Sequence, residues 1–419
     1  MRTLVVLLAA ASLTTAEPAL ADFEGADSAK AWTADAGDVS RVEGPVHAGS
    51  GALRWKTPKE GTKLQFGGLK GDLTKNRAVR FFAWLEGTVE RDLTLRIHTK
   101  GGDFWRRFSL RPQVWSEVVV PFYQFRQDAS PLWSRAEGFA IVARKPLAIV
   151  LDDLSLVEGG EHPQIEPAAA LIERVFPGRE PAISLSDNFR VFTDAPLDAA
   201  AVSARLEEGL GRFRKIFGVE EPLAWPVTLI VRTTPEEYRR TAVETARDVY
   251  GGDLSAPTAG GFTFYEYSFT SYDEKQGATR PVFLHEACHQ LVSRLLHFQG
   301  PNGALWIEEG LCYFMQNEFT PIENAKDEAL KMFENPKRPR LASFDAKQRI
   351  DSGAENLTAF LVTQYMLKGP HAAQWKDYVE ALRENDTNLL KAAQEAFGVK
   401  PEAFEQEYEE YTRKWAAEK

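Results

Sequence analysis

The sequence contains only two cysteines among its 419 residues. This number excludes a disulfide-rich scaffold and a zinc site made of four cysteines. Basic residues are also few, since 50 Lys and Arg stand against 60 Asp and Glu and give a net charge of −10. Because nucleic acids and anionic membranes bind clustered positive charge, we expect neither as a partner. Beyond the N-terminal segment the chain has no long uncharged apolar run, so no transmembrane segment is predicted.

Residues 1–21 have the features of a cleavable signal peptide. Arg2 gives a short basic start, and the apolar run over 3–13 is too short to span a bilayer. The segment Ala-Leu-Ala at 19–21 then provides the small-x-small pattern that signal peptidase cleaves. A buried N-terminal helix is the alternative interpretation. The signal peptide predicts a periplasmic or secreted protein, in a compartment where disulfides persist.

Residues 22–158 alternate between apolar and polar side chains in short runs. In one of them Leu93, Leu95 and Ile97 would share one face of a strand, with polar residues between them. Clusters of Gly, Pro and Asp separate the runs, as expected for turns. The clearest strand predictions are 51–58, 78–87, 92–100 and 115–122. This pattern predicts an all-β sandwich.

Parts of this region resemble the galactose-binding-like jelly rolls, which include carbohydrate-binding modules. The segments that carry the resemblance are DFEG at 22–25, WSEVVVPF at 115–122 and IVLDDLSLVEG at 149–159. The resemblance implies a structural calcium held by Glu24 with Asp152 or Asp153. The alternative is that the two aspartates simply end a strand at a solvated edge. A glycan partner is implied as well, against the alternative that the aromatic side chains form the core.

The polar segment 159–167, with two prolines, is the predicted linker. Beyond it, residues 168–419 mix strand and helix patterns and become helical after Pro281. Strands are predicted over 189–194, 226–232 and 260–269, and helices over 196–217 and 235–247. Strands followed by helices predict a second domain of the α+β class with a helical C-terminal part.

The segment HEACH at 285–289 is an HExxH motif. On a helix, residues four apart lie on one face, so His285 and His289 can present both imidazoles to one zinc ion. Glu286 is not a ligand in this motif, but it can accept a proton from a water molecule beside the metal. The alternative is a buried helix with two hydrogen-bonded histidines.

A second segment, LWIEEGLCYF at 305–314, follows at a suitable distance. The two segments together resemble the gluzincins, the thermolysin and aminopeptidase N clan, and in particular its peptidase MA-like members. In that clan a glutamate directly before a glycine is the third metal ligand, which implies this role for Glu309. Glu308 is the alternative, since eighteen residues separate it from His289 and nineteen separate Glu309. Residues that match the flanking pattern are Trp306, Ile307, Gly310 and Tyr313.

Two histidines and one glutamate leave one position on a zinc ion open, as is typical of catalytic sites. The resemblance therefore implies a secreted zinc metallopeptidase, in which a zinc-activated water hydrolyses peptide or protein substrates with Glu286 as general base. The G-x-M-E-N segment of the aminopeptidases is missing, which favours an endopeptidase or a narrow processing peptidase. The alternative is a non-enzymatic envelope or surface protein that binds glycan and has a degenerate peptidase fold.

A tyrosine or histidine that stabilises the transition state is also expected, but the sequence does not single one out. His297 is expected at the helix surface. The candidates are Tyr265, Tyr267, Tyr365 and His371. The two cysteines, Cys288 and Cys312, are each next to or near a ligand. We expect them to lie close together, either as a disulfide or as two reduced buried thiols.

Overall fold

The structure is a computed structural model, and it describes residues 19–129, 131–159, 162–252, 254–296, 305–344, 350, 352–384 and 388–418. The chain divides into two compact units. One holds the residues up to 163 apart from 126–130, and the other holds 126–130 and the residues from 164 onwards. Most of the predicted signal peptide and His297 lie outside the described residues. Within the described ranges, no helix combines the length and hydrophobicity needed to cross a membrane.

The N-terminal part of the chain is built of β-strands. They are β1 (Ala19–Ala21), β2 (Trp32–Ala34), β3 (Asp38–Val42), β4 (Ala52–Thr57), β5 (Lys63–Phe66), β6 (Asn76–Leu85), β7 (Arg91–Thr99), β8 (Gly102–Leu110), β9 (Trp115–Pro121), β10 (Arg126–Ala129), β11 (Ala136–Ala143) and β12 (Leu147–Glu158). Short 3-10 helices cover Ser28–Ala31, Phe122–Gln124 and Trp133–Arg135.

These strands form two antiparallel sheets that share one core. The first sheet has the order β3-β4-β12-β6-β9, with β1 also paired to β12, and the second has the order β10-β8-β7-β11-β5-β2. Leu93, Leu95 and Ile97 of the second sheet are buried together with Leu53 and Phe81 of the first. Buried side chains from both sheets share one core, so this region is a β-sandwich, which confirms the all-β prediction.

The second unit contains a third sheet. Its strands are β13 (Ala182–Leu185), β14 (Phe189–Thr193), β15 (Val227–Arg232), β16 (Gly261–Phe264) and β17 (Tyr267–Ser271), in the order β13-β14-β15-β17-β16. The central strands β14, β15 and β17 are parallel, and the edge strands β13 and β16 are antiparallel to their neighbours. All three central strands are buried along their whole length, and β15 (VTLIVR) has the largely apolar sequence expected of such a strand.

Helices complete the second unit. They are α1 (Ala168–Val175), α2 (Ala199–Phe217), α3 (Pro235–Tyr250), α4 (Pro281–Leu295), α5 (Leu305–Phe319), α6 (Ala325–Glu334), α7 (Leu341–Phe344), α8 (Gly353–Lys368), α9 (Trp375–Glu384), α10 (Leu389–Phe397) and α11 (Pro401–Ala417). Two further 3-10 helices cover Gly277–Thr279 and Ala372–Gln374. The helical C-terminal part agrees with the sequence prediction.

The boundaries of the helices have clear local causes. The side chain of Asp198 accepts hydrogen bonds from the first backbone amides of α2, and Gly218 ends that helix in the left-handed conformation. Pro281 occupies the first turn of α4, where its missing N–H costs no hydrogen bond. The apolar face of α4 packs in one core with α2, α5 and α8. This packing holds the HExxH helix at the centre of the unit.

The region 260–269 was expected to be one strand, and this prediction is wrong. The structure divides it into β16 and β17, an antiparallel hairpin in which Phe264 faces Tyr267. Tyr265 in the turn has a φ of 48°, a conformation that favours Gly, Asn or Asp. Tyrosine is not a turn-forming residue, so the predicted strand continued through position 265. The hairpin places Thr263 opposite Ser268.

Candidate metal centre

The two motif segments lie on α4 and α5, two helices that pack against each other in the core. Gly310 on α5 allows a close approach to α8. A Cβ atom at this position would lie 2.3 Å from Oγ1 of Thr363 and 2.5 Å from the carbonyl oxygen of Ala359. No side chain fits at such distances. Gly310 therefore permits the close packing of α5 against α8. This packing fixes the rotation of α5 about its own axis.

His285, His289 and Glu309 form the only group of three metal-binding side chains found in the described ranges. One potential ligand atom from each lies within 4.8 Å of the others. Nε2 of His285 is 3.4 Å from Oε2 of Glu309, and Nε2 of His289 is 3.7 Å from Oε1. These distances are longer than a normal hydrogen bond. Two ligands ~2.1 Å from one zinc ion at a tetrahedral angle would lie roughly 3.4 Å apart.

The protonation states of Glu309 and His289 are also suited to a metal. Burial raises the pKa of Glu309, but the nearby His289 and His285 outweigh it and lower this pKa to about 2. Burial lowers the pKa of His289 to about 4. Burial also opposes a charge on His285, but the nearby carboxylates of Glu309 and Glu286 outweigh it and raise its pKa. An ionised carboxylate and a neutral imidazole are the forms that bind zinc, so Glu309 and His289 are already in the binding form, and His285 would release its proton when the ion binds.

Glu286 lies beside this group and is not part of it. Burial raises the pKa of Glu286 to about 7. Oγ1 of Thr263 is 2.8 Å from Oε2 of Glu286, and Oγ of Ser268 donates to the backbone oxygen of the same residue at 2.9 Å. A Cβ at Gly261 would lie 2.4 Å from Oε1 of Glu286. The glycine in β16 therefore makes room for the carboxylate at the edge of the third sheet.

Tyr313 is a further residue of the site, and the sequence analysis gave it no chemical role. It follows Glu309 by four residues on α5, so both side chains lie on one face of the helix. Its ring centroid is 4.5 Å from that of His285. Burial raises the pKa of Tyr313 to about 12, and the charges of Glu309 and Glu286 add to this effect. The phenol therefore stays protonated at neutral pH and can donate a hydrogen bond. The four-residue spacing between Glu309 and Tyr313 is the sequence feature from which this location could have been predicted.

Glu308 has a different environment from Glu309. It is absent from the group of metal-binding side chains, and burial raises its pKa to about 8, with a further contribution from the charge of Glu309.

Cys288 and Cys312 are both buried and not joined by a disulfide. Burial and a hydrogen bond with Cys288 raise the pKa of the Cys312 thiol well above its usual range. The two thiols therefore lie together, as expected, and of the two alternatives the structure has the free thiols.

The candidate transition-state donors from the sequence have other partners. The hydroxyl of Tyr267 donates to Glu166 at 2.8 Å, and the ring of Tyr265 packs on Tyr250 with centroids 4.6 Å apart. Tyr365 and His371 each have a side-chain atom 3.0 Å from the same carboxylate oxygen of Glu407. None of these contacts joins one of the four residues to the group formed by His285, His289 and Glu309.

The residues expected to hold calcium lie around one loop of the β-sandwich. The carboxylate of Glu24 accepts hydrogen bonds from the backbone and hydroxyl of Ser50. Asp152 accepts backbone hydrogen bonds from His47 at 2.8 Å and Ala48 at 3.2 Å. Nδ1 of His47 is 3.0 Å from Asp153. The carboxylates thus support the conformation of this loop, and calcium binding stays a prediction.

Comparison with known proteins gives matches among solved structures. No protein-family model and no curated protein matches the chain. A family 11 carbohydrate-binding module from Clostridium thermocellum, in complex with a β-1,3-1,4-mixed-linked tetrasaccharide, is 15% identical, with 34% of this chain and 95% of that chain covered and a TM-score of 0.29. The CBM22-1 xylan-binding domain from Paenibacillus barcinonensis is 17% identical, with 35% and 98% covered and a TM-score of 0.25.

An exo-β-agarase is also similar, at 10% identity over 34% of this chain and 25% of that chain, with a TM-score of 0.30. The structural neighbours are thus carbohydrate-binding-module β-sandwiches and an agarase.

Proposed function

We propose that this protein is a secreted zinc-dependent metallopeptidase that hydrolyses peptide bonds. The observation that carries the proposal is the convergence of His285, His289 and Glu309 from two helices, with ligand atoms within 4.8 Å of one another. When bound by these residues, a zinc ion would polarise a peptide carbonyl group and make a water molecule more acidic. The remaining steps are carried out by residues of the protein itself.

Glu286 is the proposed general base. Its raised pKa of about 7 lies close to neutral pH, so the carboxylate can both accept and release a proton. It takes a proton from the water whose oxygen attacks the carbonyl carbon. When the carbon–nitrogen bond breaks, the same proton passes from Glu286 to the leaving amine. The hydroxyl of Thr263, 2.8 Å from Oε2, holds the carboxylate in position.

Tyr313 is the proposed hydrogen-bond donor to the carbonyl oxygen of the substrate. The negative charge on this oxygen grows as the water attacks, and a neutral phenol can stabilise it. The contact of the Tyr313 ring with His285, with centroids 4.5 Å apart, supports its location beside the reacting group.

An extended peptide substrate would pair with the edge strand β16. This strand is the last in the order of the third sheet, and Gly261 in it lies against the Glu286 carboxylate. Backbone hydrogen bonds to a sheet edge bind a peptide without requiring a particular side chain. This arrangement supports an endopeptidase or a processing peptidase. It involves no recognition of a free amino terminus.

A non-enzymatic glycan-binding protein with a degenerate peptidase fold is the second candidate. The β-sandwich of the first unit is the observation in its favour. The retention of all four side chains, the three ligands and Glu286, argues against a degenerate site. A binding protein without catalytic activity has no chemical need for Glu286.

Metal analysis and peptide digestion together test the two candidates. We expect the purified protein to contain about one zinc ion per chain, and a His285→Ala/His289→Ala variant to contain none. Wild-type protein should cleave members of a peptide library, read out by mass spectrometry, and a chelator should stop this cleavage until zinc is added back. A protein that binds no zinc and cleaves no peptide would contradict the peptidase proposal and favour the second candidate.

A further inference from the structure

Arg280, the residue directly before α4, is a charged side chain that the peptidase proposal does not use. Its Nη1 atom donates hydrogen bonds to the hydroxyls of Thr270 at 3.2 Å and Ser271 at 3.3 Å, at the end of β17. Thr270 and Ser271 are buried, whereas Arg280 is partly exposed. The strand therefore holds the guanidinium in place and leaves part of it accessible.

The ionic environment of Arg280 differs from that of the other arginine on this helix. Arg294 pairs with the carboxylate of Glu266. In the part of the chain that the structure describes, Arg280 forms no ion pair and uses only Nη1 for side-chain hydrogen bonds. Asp273 is close enough to interact electrostatically with Arg280, but its carboxylate accepts hydrogen bonds from two backbone amides of the turn that follows it. Because each nitrogen of a guanidinium is a donor, Nε and Nη2 are available to a ligand.

Arg280 lies beside the start of β16, next to the proposed general base. A Cβ built at Gly260 would lie 3.5 Å from Nη2 of Arg280. A Cβ built at the following residue, Gly261, would lie 2.4 Å from Oε1 of Glu286. Adjacent Cα atoms are about 3.8 Å apart, and an extended chain rises about 3.4 Å per residue. The guanidinium and the Glu286 carboxylate are therefore separated by no more than about three residues of an extended peptide.

The backbone between these two groups is fixed and carries little side-chain bulk. The hydroxyl of Tyr238 donates to the carbonyl oxygen of Ala259 at 2.5 Å. The hydroxyl of Thr270 donates to the carbonyl oxygen of Gly260 at 2.8 Å. Ala259 and Gly260 are both exposed. A peptide that pairs with β16 can therefore approach this backbone closely, with one of its residues beside Arg280.

Arg280 also places a positive charge near carboxylates. Glu286 and Glu309 lie in or beside the metal-binding group, and the whole chain has a net charge of −10. A carboxylate of the substrate would be repelled by these groups unless a nearby cation compensated them. An arginine keeps its charge in proteins and binds a carboxylate through two parallel N–H···O bonds. The side chain therefore suits an acidic group of the substrate better than a neutral or basic one.

We propose that Arg280 sets the substrate preference of the site by binding a carboxylate of the peptide within about three residues of the scissile bond. This carboxylate is either an acidic side chain or the C-terminus of a peptide that is cleaved near its end. The N–H donors on Nε and Nη2 bind its two oxygen atoms side by side. The inference rests on the proposed peptidase function and names the substrate class of the same site.

Digestion of a peptide library by the zinc-loaded full chain, read out by mass spectrometry, tests this inference. We expect cleaved bonds to have Asp, Glu or a free C-terminus within about three residues more often than uncleaved bonds. Matched peptides then separate the two sources of the carboxylate. One pair has Glu or Gln at the preferred position, and the other has a free or an amidated C-terminus. In one of these pairs kcat/KM should be at least ~10-fold higher for the charged peptide.

Variants of Arg280 test whether this side chain causes the preference. Arg280→Gln should bring the ratio of the two kcat/KM values to within about threefold of unity. Arg280→Lys keeps the charge and should retain part of the preference. Arg280→Glu should reverse it in favour of a peptide with Lys at that position. The ratio does not depend on the fraction of active protein, so a purely structural role of Arg280 would leave it unchanged.

Arg205→Gln is the matched control. Arg205 on α2 is also partly exposed, and its Nη2 atom donates to a hydroxyl, that of Thr320, at 3.1 Å. Thr320 directly follows α5, about 16 Å along the helix axis from Glu309. The substitution removes the same charge away from the site, so it should leave the ratio within about twofold of the wild type.

The possible failures of this inference and of the peptidase proposal can be told apart. Wild-type cleavage without a preference for a carboxylate, or a wild-type ratio in Arg280→Gln, would overturn the inference and leave the peptidase proposal intact. An equal effect of Arg205→Gln would also overturn it, because the preference would then reflect the net charge of the protein. A wild-type protein that cleaves no peptide would contradict the peptidase proposal itself, and this inference with it.

Discussion

Two adjacent glutamates on α5 differ strongly in their electrostatic environment. The pKa of Glu309 is lowered to about 2 by its two histidine neighbours, whereas burial raises the pKa of Glu308 to about 8. Neighbouring residues on a helix point about 100° apart, so only one of them can face α4. Gly310 fixes which one, because its contact with α8 sets the rotation of α5.

Replacement of the two glutamates should therefore have unequal effects on zinc. Glu309→Ala removes a ligand and should weaken zinc binding at least ~100-fold, measured by competition with a chromophoric chelator. Glu308→Ala is the matched control and should change the affinity by less than about threefold. The reverse order would show that α5 is rotated by one residue from the arrangement described above.

A second prediction at this scale concerns Glu286. Glu286→Gln keeps the size of the side chain but cannot accept a proton, so kcat should fall by ~10²–10⁴-fold. The zinc content should stay at that of the wild type, because Glu286 is not a ligand. Glu308→Gln, an equally conservative change next to a ligand, should retain near wild-type turnover. If Glu286→Gln turned over substrate at the normal rate, the general base would have to be another group.

Tyr313 gives a third prediction. Tyr313→Phe preserves the ring that contacts His285 but removes the hydroxyl. We expect kcat to fall by ~10–10³-fold with KM nearly unchanged, since the hydrogen bond strengthens only as charge develops on the substrate oxygen. Zinc affinity and thermal stability should stay near those of the wild type. A change confined to KM, or a loss of zinc, would instead indicate that the phenol positions the substrate or the metal ligands.

The residues of the site differ in how well the sequence alone could predict them. His285, Glu286 and His289 are close in sequence, so helix periodicity is enough to bring them together. Thr263 reaches Glu286 from a strand more than twenty residues earlier, and its contact depends on the hairpin. Tyr313 is four residues from Glu309, but its role depends on how α5 crosses α4. Side chains whose position depends on tertiary packing leave no local sequence pattern from which their contacts can be predicted.

At the scale of elements, the β16–β17 hairpin and the α5–α8 crossing shape the site. The hairpin escaped the sequence analysis because Tyr265 takes a left-handed conformation without a turn-forming residue. It nevertheless decides the environment of Glu286, since Thr263 and Ser268 both reach that residue from its two strands. The boundaries of α2 and α4 were predicted more closely, since a helix was expected over 196–217 and helical structure after Pro281.

The α5–α8 crossing yields a fourth prediction. Gly310→Ala places a Cβ 2.3 Å from Oγ1 of Thr363 and 2.5 Å from a carbonyl oxygen. The helices would have to separate, so we expect a loss of about 1–3 kcal/mol in the free energy of unfolding. Urea denaturation of the zinc-loaded protein measures this loss. Zinc affinity should fall as well, because Glu309 is the preceding residue.

Gly211 on α2 is the matched control for this substitution. Nothing lies within 4 Å of a Cβ built at Gly211, and its backbone is helical. Gly211→Ala should therefore stabilise the protein by roughly 0.5–1 kcal/mol, through the better helix propensity of alanine. If the two substitutions shifted stability in the same direction, the close crossing at Gly310 would not be the reason for this glycine.

At the scale of the whole molecule, the described residues form two separate hydrophobic cores. One lies between the sheets of the β-sandwich, and the other joins the third sheet to the helices of the second unit. The alternating pattern of the N-terminal region and the mixed pattern after it were sufficient to predict these two classes of structure. Each core is large enough to fold cooperatively. A ligand bound to one unit should therefore stabilise that unit specifically.

Zinc binding provides the test of this separation, and its ligands all belong to the second unit. In differential scanning calorimetry we expect two transitions. A zinc-selective chelator, added in the presence of excess calcium, should lower the temperature of one and leave the other in place. Zinc at 100 times its dissociation constant stabilises a folded state by about 2.7 kcal/mol. For a unit of this size, that corresponds to a shift of roughly 5–10 °C.

The His285→Ala/His289→Ala variant is the control. It should show no response to the chelator, while its other transition stays at the wild-type temperature. A single transition, or equal shifts in both, would mean that the two cores do not unfold independently. A wild-type protein whose transitions ignore the chelator would argue against zinc as the bound ion.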